Sequence, residues 1–214
     1  MPRSLTNILA LSITLAVPVI LILTNVFIFM NPTWLAYQYS KADFPPSVRF
    51  TPDERYRLAS ESIEYIRGNR TLTQFKALDV YDEREIKHMI DVRELVDKVK
   101  IVLPTLALLI IVSLVVLARE KTNRALAARG LLNGAILTVG FFVVLGLFAA
   151  VGFQTFFTLF HKIFFEGETW LFNYTDSLIQ FYPLPFWFDT SIALIALTIG
   201  EALIVGLIGW RWKT

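Results

Sequence analysis

Cysteine is absent from the 214 residues, which removes disulfides, thiolate metal sites, a cysteine nucleophile and self-lipidation at cysteine. An excess of one charge is missing too. The formal net charge is +2, and without a basic stripe or glycine-rich phosphate loop there is no footing for nucleic acid. Histidine occurs only as His88 and His161. Neither an H-E-x-x-H pattern nor a close histidine pair is written, so a metal-dependent hydrolase built from these two with Asp91 or Asp176 has little support. No metal or other cofactor is expected. A transporter is also weakly supported, because no internal repeat is evident and only Glu201 is charged deep within an apolar run.

What is abundant is apolar. The chain is 55% hydrophobic with mean hydropathy +0.57, beyond the usual range of a soluble globule. The apolar residues bunch into four runs, 8–30, 101–118, 132–153 and 191–210. Each is close to the ~20 residues that cross ~30 Å of hydrocarbon at 1.5 Å per residue. Lipid offers no partner to open backbone groups, so the expected fold is an all-α integral membrane protein with four transmembrane helices, in one membrane domain over residues 1–214. The first run is too long for a signal-peptide core. Phe27-Ile28-Phe29-Met30 stands where a small-x-small cleavage site would be, so it reads as a retained anchor.

Lysine and arginine in the short segments set the orientation. Arg3 marks the N-terminus; Arg119, Lys121, Arg124 and Arg129 stand against Glu120 in the loop 119–131; Arg211 and Lys213 mark the C-terminus. With four spans these lie together, so both termini are expected in the cytoplasm, with segments 31–100 and 154–190 outside. The first outer segment holds 12 basic and 12 acidic residues, 24 of the chain's 38 charges; being neutral, it votes on neither side. Both histidines fall outside, as chance alone would often place them, so a shared site is permitted rather than proved.

Segment 31–100 reads as a small helical cap. Thr51-Pro52-Asp53-Glu54 is a capping box with proline at the first helical position. Tyr56, Ala59, Ile63 and Ile66 follow at helical spacing, and Gly68 supplies a stop. A second start is written at Asp82-Glu83-Arg84-Glu85, and the stripe Ile86, Met89, Val92, Val96, Val99 carries that helix toward the second span. The triplet Asn69-Arg70-Thr71 matches a glycosylation sequon, a pattern common by chance. Glu85, His88 and Asp91 fall three apart and share a face. A carboxylate there would fix the imidazole tautomer and raise its basicity, as in preparing a general base; the bland alternative is a solvated charged face.

Segment 154–190 has a different character. Residues 153–188 hold 14 of the chain's 30 aromatics, too dense for a loop in water, so the segment is expected at the outer headgroup–acyl boundary. Phe160-His161-Lys162 sits in the run Phe156–Phe165, read as a short interfacial or re-entrant helix. Burial there would lower the His161 pKa, unless it is a belt histidine reaching to water. Glu201, near mid-span, reads as a structural polar contact more than a functional charge. Asn25 either lines an outer pocket or bonds a neighbouring helix.

Phe160-His161-Lys162-Ile163-Phe164-Phe165, then Trp170, Asp176-Ser177-Leu178-Ile179, Pro183 and Phe186, together with His88-Met89-Ile90-Asp91-Val92, resemble the lipoprotein intramolecular transacylase (Lit) family of bacterial membrane proteins. The resemblance covers essentially the whole chain, although residues 35–50 cannot be placed against it. It implies a plasma-membrane acyltransferase that moves the sn-2 acyl chain of a diacylglyceryl lipoprotein to the α-amino group of its own N-terminal cysteine, giving the lyso form. It implies catalytic histidines at His88 and His161, with membrane lipids and diacylglyceryl-modified lipoproteins as partners. Asp91, Asp176 and Trp170 are candidates for orienting the histidines or lining the pocket. The rival is a non-enzymatic lipid-binding or assembly subunit, in which the histidines would lie far apart; the transacylase needs them within roughly 10 Å or bridged by substrate.

Overall fold

The computed structural model describes residues 1–212; Lys213, counted above among the basic residues, lies outside them. The described chain is helical: α1 (Arg3–Phe29), α2 (Pro32–Tyr39), α3 (Pro52–Arg67), α4 (Leu72–Lys76), α5 (Glu83–Arg119), α6 (Arg124–Val151), α7 (Phe153–Phe164), α8 (Ser177–Phe181) and α9 (Leu184–Trp212), with a 3-10 turn at Lys121–Asn123. No strand occurs among the described residues. Four helices, α1, α5, α6 with the turn before it, and α9, are long and apolar enough to cross a membrane. In α5 the helix starts well before the apolar stretch at residue 101 and passes Pro104 unbroken.

The chain forms two compact units. One comprises Met1–Val26, Val99–Phe148 and the chain from Ile192 onward. Here close backbone approach does the packing, since lipid tails supply no hydrophobic drive between helices. A Cβ on Gly134 of α6 would stand 2.8 Å from the Val17 Cβ of α1, and one on Gly209 of α9 would stand 2.9 Å from the Ala128 carbonyl oxygen. Thr14 donates to the Gly130 carbonyl at 3.3 Å. Fully buried Asn25 donates to Thr198 at 2.9 Å and Glu201 at 2.8 Å. Glu201 is therefore a polar contact between α1 and α9, as the structural reading of the sequence has it.

The other unit comprises Phe27–Lys98 and Ala149–Ser191. Its core gathers Leu35, Leu58, Ala59, Ile63, Phe75, Met89, Phe181 and Phe186. Thr51 and Glu54 close the capping box of α3, and Gly68 ends that helix in the left-handed region at φ 100. Of the expected apolar stripe of α3, Ala59 and Ile63 are buried and Ile66 packs against the core, whereas Tyr56 is exposed and its neighbour Arg55 is buried. Carbonyl acceptors and ring faces make that burial possible. Thr71 of the sequon triplet is the N-cap of α4. At the start of α5, Asp82 and Glu85 cap each other: the Glu85 amide donates to Asp82 Oδ1 at 2.7 Å, and the Asp82 amide to Glu85 Oε2 at 3.0 Å. Lys41 pairs with Asp189 at 2.6 Å and Trp34 donates to Thr190 at 2.9 Å, tying α2 to the first turns of α9.

Candidate active site

His88 stands in the second turn of α5, ahead of the apolar stretch, on the face that also buries Glu85 and Met89. His161 stands in the last turn of α7, an amphipathic helix whose other side exposes Leu159, Phe160, Ile163 and Phe164. The two imidazoles, far apart in sequence, come together with ring centroids 6.1 Å apart and planes within 28° of parallel. Each is only 8% exposed.

Aromatic rings enclose the pair. Phe157, Trp170 and Phe165 stand 4.1, 5.1 and 5.6 Å from His161. Phe165 and Phe172 stand edge-on to His88 at 5.0 and 5.4 Å. Gly167, at φ 69, makes the turn that folds Trp170 back, and the Trp170 indole donates to the Gly167 carbonyl at 3.2 Å. The aromatic density of the segment announced such a wall, but not which rings form it.

The electrostatics follow from dryness. Burial, with a smaller contribution from His161, holds His88 well below the usual imidazole range, at about 4. Burial also lowers His161, partly opposed by its bond to the Phe157 carbonyl. That bond, 2.8 Å from Nδ1, fixes the tautomer: a carbonyl oxygen only accepts, so Nδ1 carries the proton and Nε2 keeps its lone pair. His88 Nδ1 is buried and has no hydrogen-bond partner among the described residues. Both rings are thus neutral at ordinary pH.

The carboxylates sit differently from the simplest reading of their spacing. Glu85 is turned from His88 toward its capping role, and its Oε1 accepts from the Leu178 amide at 2.7 Å. Burial pushes its carboxyl above the usual range, against the two backbone N–H groups that favour the ionised form. Asp91 makes no hydrogen bond to His88, whose basicity is lowered rather than raised. Asp176 reaches the site at one remove: its Oδ2 accepts from Arg84 and from the Asn173 amide, both at 2.7 Å. The Arg84 guanidinium lies over the Phe172 ring at 5.5 Å, and Phe172 faces His88. The structure therefore brings together His88, His161 and Trp170, links Asp176 to them through Arg84 and Phe172, and gives Asp91 no hydrogen bond to either histidine. Arg84 and Phe172 went unnoticed in the sequence because an ordinary charged face and an aromatic belt accounted for them.

The family model for "Lipoprotein intramolecular transacylase Lit" matches residues 10–187, which include both histidines. The chain belongs to the Lit family. As a Lit family member it is an acyltransferase, a lipoprotein intramolecular transacylase of the membrane. It is 24% identical to an uncharacterized protein of Aquifex aeolicus (strain VF5) over 96% of each chain. Its fold is similar to the in meso structure of membrane integral Lit from Bacillus cereus, with TM-score 0.83 and 21% identity over 99% of this chain and 97% of that one. A histidine-to-arginine variant of the Bacillus cereus protein superposes with TM-score 0.76 at 20% identity, over 98% of this chain and 92% of that one.

Proposed function

We propose that this Lit family member moves the sn-2 acyl chain of a diacylglyceryl-modified lipoprotein onto the α-amino group of the lipoprotein's own N-terminal cysteine, with His88 and His161 as the catalytic residues. The observation that carries this reading is the approach of two neutral imidazoles to 6.1 Å within one ring of aromatic side chains. His161 Nε2, its lone pair held available by the Nδ1 bond to Phe157, takes the amine proton as nitrogen attacks the ester carbonyl. His88, neutral and able to donate an N–H, steadies the oxyanion. As the carbon–oxygen bond breaks, the His161 imidazolium returns its proton to the leaving glyceryl oxygen. One amide forms, one ester is lost and no proton is gained or lost overall. Nucleophile and ester share one molecule, so holding them together meets much of the barrier; such arrangements reach effective molarities on the order of 10⁵ M or more.

In the same reading Trp170 lines the pocket, Asp176 positions Phe172 through Arg84, and α7 lies at the outer lipid boundary with its exposed apolar face toward the acyl chains. The basic residues Arg3, Arg119, Lys121, Arg124, Arg129 and Arg211 support cytoplasmic termini and an extracytoplasmic active face in a bacterial plasma membrane.

The test is expression of wild type, His88→Ala and His161→Ala in a bacterium whose lipoproteins stop at the diacylglyceryl stage, followed by tandem mass spectrometry of one lipoprotein's N-terminal peptide. Wild type is expected to shift one acyl chain from glycerol to the amine at unchanged total mass, and both variants to lose that shift. Transfer that survives in either folded variant removes that histidine from the mechanism.

A further inference from the structure

Arg55, in the first turn of α3, is 6% exposed yet forms no ion pair with any described carboxylate. Its Nε donates to the Gln180 carbonyl and its Nη1 to the Pro45 carbonyl, both at 2.6 Å. The guanidinium carbon lies 4.7 Å from the centre of the Tyr39 ring and 4.8 Å from that of Phe44. Two carbonyl dipoles and two ring faces orient this cation, but none of them carries the full negative charge that a buried guanidinium ordinarily has beside it. At bonding distance Nη2 has no partner among the described residues, although the guanidinium also interacts with the Tyr39 hydroxyl, whose own proton goes to the Phe181 carbonyl at 2.8 Å. Arg55 is one wall of a cavity of about 580 Å³, lined also by Ala36, Tyr39, Phe44, Ser47 and Tyr56 among others, a size typical of small-molecule sites. Asp53 stands at its exposed rim, in water.

We propose that this cavity binds a phosphate group, carried on a phospholipid headgroup or free in solution, with Arg55 Nη2 donating to a phosphate oxygen and Ser47 and the surrounding rings shaping the walls. A guanidinium already fixed on two edges presents its third edge at little entropic cost, which suits a tetrahedral oxyanion. The cavity walls come from α2, α3 and the segment 44–50 between them. The lining shares no residue with the histidine pair on α5 and α7 or with the rings around it. The substrate in the proposed reaction carries no phosphate, so the ligand is a second molecule.

The test uses the full-length protein in detergent and native mass spectrometry, with three probes: phosphatidylglycerol, diacylglycerol of the same chains, and inorganic phosphate. Wild type is expected to retain one phosphatidylglycerol in preference to diacylglycerol, and Arg55→Gln to weaken that retention about tenfold or more, the worth of one charge-assisted contact. Because Arg55 also clamps two carbonyls, Ala36→Phe serves as the second variant: it fills the cavity from α2 without touching the clamp and is expected to weaken retention as strongly. Displacement of the lipid by millimolar inorganic phosphate would assign the ion itself as a ligand; its failure would assign the lipid headgroup. Equal retention of phosphatidylglycerol and diacylglycerol, or undiminished retention by Ala36→Phe, overturns the proposal.

Discussion

His88 and His161 are imidazoles kept dry by phenylalanine and tryptophan. A free imidazole has its pKa near 6.5, whereas burial holds that of His88 down to about 4. Between those values the unfolded chain binds a proton that the folded chain does not, so His88 makes stability fall as pH falls across this window and leaves it unchanged above it. At full mismatch this amounts to about 3 kcal/mol. Thermal unfolding in detergent is expected to show a steeper loss between pH 6.5 and 4 for wild type than for His88→Phe. Parallel slopes would contradict a dry His88. At this scale the sequence was legible where residues are rare: two histidines left two candidates. It was less legible for carboxylates, because three-residue spacing tells which face Glu85 and Asp91 share with His88 but not which backbone amide a carboxylate will meet.

Among the elements, the first turn of α5 decides the most. Glu85 caps its own helix through Asp82 and also holds the Leu178 amide of α8, while neighbouring Arg84 grips Asp176 just before that helix. Residues 172–178, which bring Phe172 to His88, are thereby pinned one turn from the imidazole. Glu85→Leu strips two backbone N–H groups of their acceptor, at roughly 1–3 kcal/mol for each one left buried and unpaired. The expected result is a lower Tm and faster hydrogen exchange at Leu178; unchanged exchange there would show that α8 is held by other contacts. The capping boxes of α3 and α5 were readable because such a cap is written in four consecutive residues. The path Asp176–Arg84–Phe172–His88 was not, since it joins segments about 90 residues apart through contacts that only tertiary packing creates.

For the whole molecule, the absence of cysteine is an experimental convenience. Single cysteines placed at Asn69, in the exposed turn after α3, and at Thr122, in the turn before α6, test the proposed orientation directly. In intact cells a membrane-impermeant maleimide is expected to label Asn69→Cys, and to label Thr122→Cys only after permeabilisation; the reverse pattern would invert the topology. The four apolar helices were legible because the length of each run is set by bilayer thickness. The small-residue contacts at Gly134 and Gly209 were not, because a glycine in an apolar run does not name the helix it will meet. The bond from Asn25 to Glu201 has a consequence for biosynthesis. When α9 is synthesised it enters the lipid carrying a carboxyl that hydrocarbon solvates poorly, and its partner was made almost 180 residues earlier. For that bond to form, α1 must still be close by when α9 leaves the insertion machinery, so α1 acts as a waiting dock for a helix made much later.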